Sequence, residues 1–178
     1  AIRRETEVVN RLLLSCDDSV TGGARPSVEA HLHALLDTHV IHLHPLVVAA
    51  YVSARKGRAV LDKVFANERI IPLWVPYTDP GYMLARKIAR LVGEYQQEHG
   101  RKPSVLFLEK HGLFVTAGSA DTAIRLVRQV IALCTNGLRP LKSGKVALAS
   151  AASITAAKLA IRKAVFEATS QYLPVSYY

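Results

Sequence analysis

The chain has 178 residues, which is long enough for one domain with a real core. Half of its residues are hydrophobic and 21% are charged, a composition typical of a folded globular protein. No apolar run reaches the roughly 18 to 20 residues that a membrane-spanning helix needs, so we expect no membrane partner. The net charge of +9 would suit a nucleic-acid-binding protein, but the basic residues are scattered along predicted helices without interleaved aromatic residues. We therefore do not expect a nucleic-acid partner, and a basic surface equally suits an anionic substrate.

Helical and strand patterns alternate along the chain, with helices at both ends. Helices are predicted over about 2–15, 28–37, 46–56, 58–66, 81–99, 119–136 and 146–171. Strands are predicted over about 39–44, 70–75, 104–108 and 112–116. Ser27 and Ser119 are expected to cap helices, Gly100 to end one, and residues 17–24 to form a loop. This alternation predicts a layered α/β fold, with residues 1–178 as a single domain.

Cysteine usage points to a compartment. Cys16 and Cys134 lie in or beside separate helical patterns and have no CxxC spacing. They do not resemble a disulfide framework, and no signal-peptide pattern opens the chain. We therefore expect a reducing, cytoplasmic setting.

Two His-x-His pairs occur close together, and geometry separates them. His42 and His44 fall on a predicted strand, where side chains two residues apart point to the same face. His31 and His33 fall on a predicted helix, where residues two apart diverge by about 200° and cannot share an ion. The first pair therefore predicts half of a metal site.

A third histidine and a carboxylate complete a candidate ligand set. His111 lies between two predicted strands, and Glu29 lies upstream of the histidine pair. Three neutral imidazoles with a carboxylate or water in the fourth place suit a catalytic zinc ion. Other interpretations stay open: His42 and His44 as hydrogen-bonded core histidines, His111 as an ordinary turn residue, and Glu29 as a complement to the helix dipole. A further alternative makes Glu29 and His33, four residues apart, the metal-binding pair.

Four segments together resemble the class II aldolase/adducin family in order and spacing. They are Arg25-Pro-Ser-Val-Glu29, His42-Leu-His44-Pro45, Val75-Pro-Tyr-Thr-Asp-Pro-Gly81 and Lys110-His-Gly-Leu-Phe114. The similarity covers about residues 25–135 and looks closest to the aldolase-like domain of proteins that join such a domain to a short-chain dehydrogenase. It implies a three-layer α/β fold with a central, mainly antiparallel sheet flanked by helices, usually assembled as a homotetramer.

The resemblance also implies roles for individual residues. The family's three zinc ligands correspond to His42, His44 and His111. Its catalytic glutamate corresponds to Glu29, and a serine often near the substrate phosphate corresponds to Ser27. Its tyrosine donated by a neighbouring subunit corresponds to Tyr77, for which a packed turn residue is an equal alternative.

The implied activity is that of a metal-dependent aldehyde-lyase. It would reversibly cleave a ketose 1-phosphate, a small sugar-phosphate substrate, into dihydroxyacetone phosphate and an aldehyde. Within the family, the same residues would equally serve an epimerase, a dehydratase or a decarboxylase, and an adducin-like module would use the fold for interactions without catalysis. One departure is clear: nothing in residues 1–24 resembles the family's Gly-Asn-x-Ser segment, which cradles phosphate, so we expect that segment to be missing.

Overall fold

The computed structural model describes residues 2–14, 16, 26–27, 29–138 and 150–169. Contacts divide the chain into two compact units, Ala1–Arg139 and Pro140–Tyr178. In the first unit the helices are α1 (Ile2–Leu14), α2 (Ala30–His33), α3 (Leu46–Val52), α4 (Gly57–Val64), α5 (Tyr82–His99) and α6 (Ala120–Gly137). The strands are β1 (His39–Leu43), β2 (Leu73–Val75), β3 (Val105–Leu108) and β4 (Gly112–Ala117).

The four strands form one sheet in the order β1-β4-β3-β2. The pairs β1–β4 and β4–β3 are antiparallel, and only β2–β3 is parallel. The short loop between β3 and β4 is what allows those two strands to pair as an antiparallel hairpin. The expectation of a mainly antiparallel sheet is therefore confirmed.

Helices cover both faces of this sheet. Side chains alternate along β3, so Val105 and Phe107 face one apolar cluster while Leu106 and Leu108 face another. Buried residues of α3, α4 and α6 complete the first cluster, among them Val48, Leu61 and Val130. Buried residues of α2 and α5 complete the second, among them Leu32, Leu84 and Ile88. The predicted three-layer arrangement, with the sheet between two helical layers, is confirmed.

The helix predicted over 28–37 is much shorter than expected. The observed α2 covers only Ala30–His33, and Glu29 rather than Ser27 occupies the N-cap position. The Ser27 hydroxyl instead accepts the Glu29 N–H at 3.1 Å. The N–H groups of Leu35 and Leu36 bond to carbonyls only three residues back. The Asp37 N–H then donates to the Thr116 hydroxyl at 2.8 Å. This tertiary contact ends the helix so that the chain can enter β1.

Other boundaries agree more closely with the sequence. Ser119 caps α6 by accepting the Thr122 N–H, and Gly100 ends α5 in the left-handed region with φ of 68°. The strand predicted over 70–75 begins only at Leu73, where pairing with β3 starts. The loop predicted over 17–24 lies outside the described residues.

The second unit contains α7 (Ala151–Thr169), inside the helix predicted over 146–171, whose two ends fall outside the described residues. The Ser150 hydroxyl accepts the Ser153 N–H at 3.1 Å, at the start of α7. No helix in the described ranges is both long enough and apolar enough to cross a lipid bilayer.

Candidate metal centre

The candidate residues meet at one edge of the sheet because of strand register. Leu43 at the end of β1 pairs with Leu113, and Leu108 at the end of β3 pairs with Gly112. The end of β1, the end of β3 and the start of β4 therefore lie side by side. His44 directly follows β1 and His111 directly precedes β4, so both residues lie at this edge.

The three imidazoles predicted as ligands lie close together. The ring centroids of His42 and His44 are 4.6 Å apart, and those of His111 lie 5.0 Å from His42 and 5.2 Å from His44. One nitrogen from each ring lies within 4.8 Å of the others, a spacing that one metal ion can bridge. His44 was expected inside the strand but lies one residue beyond it.

The Glu29 carboxylate lies between two of these rings. Its Oε2 is 2.8 Å from His42 Nδ1, and its Oε1 is 3.1 Å from His111 Nε2. Glu29 makes no side-chain cap bond to α2 although it holds the N-cap position. Its carboxylate is directed at the imidazoles and is therefore more than a complement to a helix dipole.

His42 has the surroundings of a neutral metal ligand. Its ring stacks on buried Phe114 with 3.9 Å between centroids and 17° between planes. Burial, followed by the nearby His111 and His44 rings, lowers the pKa of His42 below its usual 6.5, against an opposing effect of Glu29. Its Nε2 is buried and has no hydrogen-bond partner among the described residues. A bare lone pair on a neutral imidazole fits a metal ligand.

A second group of potential ligands overlaps the first. Ligand atoms of Glu29, His33 and His42 also lie within 4.8 Å of one another. His33 contacts the edge of Phe114, with ring centroids 5.5 Å apart. The alternative that pairs Glu29 with His33 therefore gains His42 as a third member, whereas His31 belongs to neither group found within the described ranges.

The turn that carries His111 is tied to three other elements. The Glu109 N–H donates to the carbonyl of Val75 at the end of β2, and the Lys110 N–H donates to the carbonyl of Val52 at the end of α3. The His111 N–H closes the turn on the Leu108 carbonyl at 3.0 Å. These bonds fix the backbone that positions the third imidazole.

Tyr77 and Ser27 lie on exposed segments. The Tyr77 N–H donates to Glu109 Oε2 at 2.9 Å, and its hydroxyl donates to Asp79 Oδ1 at 2.8 Å. The bond to Asp79 raises the pKa of the Tyr77 phenol above its usual 10, so the phenol stays protonated at neutral pH. The roles of Tyr77 with a neighbouring subunit and of Ser27 near a phosphate stay predictions.

Sequence reasoning missed two residues that shape the site. Phe114 lies opposite His42 in the β1–β4 register and supports its ring. A Cβ on Gly112 would be 2.8 Å from the Leu43 carbonyl oxygen and would press on the His44 ring, so only glycine leaves room there. Pairing the strand of His42 with the strand after His111 would have indicated Phe114 and Gly112. The register of these two strands could not be read from the sequence.

Comparisons with known proteins identify the family of the chain. Residues 4–137 match the profile of the class II aldolase and adducin N-terminal domain. The protein called Uncharacterized oxidoreductase YuxG, from Bacillus subtilis (strain 168), is 32% identical over 108 residues, which are 60% of this chain and 14% of that protein. The chain therefore matches about one seventh of the length of this relative.

Two solved structures share the fold. The N-terminal class II aldolase domain of a conserved protein from Thermoplasma acidophilum has a TM-score of 0.59 at 22% identity, over 76% of this chain and 58% of that one. The sugar-phosphate aldolase from Thermotoga maritima has a TM-score of 0.53 at 17% identity, over 70% and 58%. With three-quarters of its length matched by the family profile, this chain belongs to the class II aldolase and adducin N-terminal domain family.

Proposed function

We propose that this chain is a zinc-dependent class II aldolase-like enzyme that reversibly cleaves a ketose 1-phosphate into dihydroxyacetone phosphate and an aldehyde. The observation that carries the proposal is the meeting of three imidazoles and the Glu29 carboxylate at one sheet edge. The Thermotoga relative is named a sugar-phosphate aldolase, in keeping with this reaction, although at 17% identity the likeness extends only to the fold. The side chains therefore carry the argument.

His42, His44 and His111 would hold the zinc ion. The donor set fits, because the three nitrogens lie within 4.8 Å of one another and the buried Nε2 of His42 has no partner among the described residues. Bound zinc supplies Lewis-acid stabilisation of the negative charge that develops on substrate oxygens as the carbon–carbon bond breaks. The lowered pKa of His42 keeps that imidazole neutral, as a ligand must be.

Glu29 would move the proton. In the condensation direction its carboxylate takes a proton from the hydroxymethyl carbon of dihydroxyacetone phosphate, and in the cleavage direction it returns that proton. Proton transfer by a positioned carboxylate typically contributes about 10²- to 10⁴-fold to the rate. The two contacts to His42 and His111 hold the carboxylate beside the ligand set.

In the condensation direction, Tyr77 would donate a proton to the aldehyde oxygen, which becomes a hydroxyl group. Its phenol is protonated at neutral pH, since its usual pKa is 10 and the bond to Asp79 raises that pKa further. The phenol would release its bond to Asp79 as it donates. The Tyr77 side chain is 49% exposed, so it is available to a neighbouring subunit. We propose that it acts across a subunit boundary in a homotetramer.

The first test measures bound zinc in matched histidine variants. His44→Ala is expected to lose zinc by elemental analysis. His39→Ala, at the opposite end of β1, is expected to keep it. His33→Ala separates the two overlapping ligand groups, because the proposed set predicts that it retains zinc. Undiminished zinc in His44→Ala would reject the ligand assignment.

The second test measures turnover. Glu29→Gln is expected to keep zinc while its rate of aldol condensation, from dihydroxyacetone phosphate and a short aldehyde, falls by at least about 10²-fold. His39→Ala again serves as the control. An adducin-like interaction module would show no turnover in the wild-type protein, and unchanged turnover in Glu29→Gln would remove that residue from the mechanism.

A further inference from the structure

Lys110 has a backbone conformation that side chains disfavour. Its φ of 57° makes it the one described residue other than glycine with a positive φ. It is the third residue of the turn closed by the His111 N–H on the Leu108 carbonyl, a position that glycine or asparagine normally occupies when φ is positive. A lysine there is strained relative to glycine.

The Lys110 ammonium is held by a ring and not by a carboxylate. Its Nζ lies 5.2 Å from the centroid of the Tyr77 ring, a cation–π contact. The two nearby acids have other partners, because Glu109 accepts the Tyr77 N–H and Asp79 accepts the Tyr77 hydroxyl. None of the ion pairs found within the described ranges includes Lys110.

Lys110 is the chain neighbour of a candidate metal ligand, in the turn between β3 and β4. Lys110 directly precedes His111, and its N–H is fixed on the Val52 carbonyl at 2.9 Å, so the turn cannot easily reorient. The Tyr77 ring that supports the ammonium belongs to the segment after β2, at the same sheet edge. The sheet edge that carries the candidate ligands therefore also carries an exposed lysine.

The geometry points to Lys110 as the residue that binds the anionic end of the substrate. The ligand chemistry is a terminal oxyanion, which a phosphate ester or the carboxylate of a sugar acid could supply. The assignment rests on the proposed function only in placing substrate at this sheet edge. Lys110 binds the substrate while Glu29 moves the proton.

The experiment titrates zinc-loaded protein by calorimetry with dihydroxyacetone phosphate and, separately, with glycerate. Lys110→Met and Lys110→Gly are each expected to bind the wild-type protein's preferred anion about tenfold more weakly, the effect of losing one charge-assisted hydrogen bond. Lys110→Arg should stay within about twofold of wild type, because it keeps the charge. Lys63→Met, an exposed lysine on α4, is the matched control and should bind like wild type.

Stability separates this role from a merely structural one. Lys110→Gly relieves the positive φ and should melt about 2 to 4 °C higher than wild type without ligand, while binding the anion more weakly. Zinc content should be equal in all variants. A loss of zinc in Lys110→Met would overturn the assignment, because the residue would then act through the turn geometry.

The outcomes distinguish this inference from the proposed function. If wild-type protein binds glycerate but not dihydroxyacetone phosphate, and Lys110→Met loses that binding, the anion site stands and the ketose-phosphate reaction fails. If Lys110→Met binds dihydroxyacetone phosphate as tightly as wild type while turnover persists, the Lys110 assignment fails and the proposed function stands. If wild-type protein binds neither anion, the assignment is overturned.

Discussion

Gly112→Ala should weaken zinc binding through a single added methyl group. Gly112 begins β4 opposite Leu108, and its φ is not positive, so alanine brings no backbone strain there. The added Cβ would be closest to the His44 ring carbon and would lie 2.8 Å from the Leu43 carbonyl oxygen and 3.1 Å from His44 Nε2. The effect is therefore steric and acts on a candidate ligand.

The expected magnitude follows from the displacement. To move from 2.8 Å to an ordinary contact of 3.4 Å, the Leu43 oxygen must shift by about 0.6 Å, and the His44 ring must turn away as well. Metal–ligand distances tolerate only about 0.2 Å. We expect zinc affinity to fall about 10- to 100-fold, as when a supporting contact of a ligand is lost. Overpacking should lower the free energy of unfolding by about 1 to 3 kcal/mol.

The assay combines zinc competition against a chromophoric chelator with urea unfolding of metal-free protein. Gly93→Ala is the control, because a Cβ there meets nothing within 4 Å. It should leave zinc affinity unchanged and raise stability by up to about 1 kcal/mol in the middle of α5. In a His44→Ala background, Gly112→Ala should keep the part of its unfolding cost that comes from the Leu43 carbonyl oxygen and lose the part that comes from the ring. Wild-type zinc affinity in Gly112→Ala would refute the placement of His44 as a ligand.

Three further expectations test other parts of the structure. Cys134 is fully buried, and burial raises the pKa of its thiol to about 11. Only the exposed thiol of Cys16 should therefore react rapidly with a disulfide reagent, and Cys134 should react only on unfolding. Two rapidly reacting thiols would contradict the packing of α6. The pKa of His42 is lowered below 6.5 in the folded chain, so the unfolded chain binds more protons below pH 6.5. Metal-free protein should therefore lose stability as the pH falls below 6.5. Urea midpoints at pH 5 and 7.5 measure this loss, and His42→Gln should reduce the difference between the two midpoints. Mixing inactive Glu29→Gln and Tyr77→Phe subunits should restore part of the turnover if Tyr77 acts in the site of a neighbouring subunit. No recovery would mean that Tyr77 acts in the site of its own subunit.

Much of the fold could be predicted because local patterns agreed with the tertiary structure. The helix ending at Gly100 has a left-handed terminal residue, and the helix starting after Ser119 has a hydroxyl cap, both signals that lie within a few residues. A clear exception is α2, where the cap signal at Ser27 was misleading. The Glu29 carboxylate is occupied by imidazoles and Thr116 binds the Asp37 N–H, so contacts from distant strands shorten the helix.

The candidate site was predictable only in part, for a physical reason. The spacing of His42 and His44 indicates one face from the strand period alone. That His111 meets them depends on β4 pairing with β1 in one particular register, and the sequence carries no local signal for it. Phe114 and Gly112 matter through that same register, as the support of one ring and the space for another.

The contact between Glu29 and His42 links the carboxylate to the metal chemistry more closely than spacing suggested. A carboxylate oxygen only accepts hydrogen bonds, so the 2.8 Å contact places the proton of neutral His42 on Nδ1. That tautomer leaves a lone pair on Nε2, the buried atom without a partner among the described residues. Glu29→Gln keeps a carbonyl oxygen that can accept the same proton, so it should retain zinc, whereas Glu29→Ala removes the acceptor and should weaken zinc binding. One residue would thereby both fix the form of a ligand and supply the proton acceptor of the reaction.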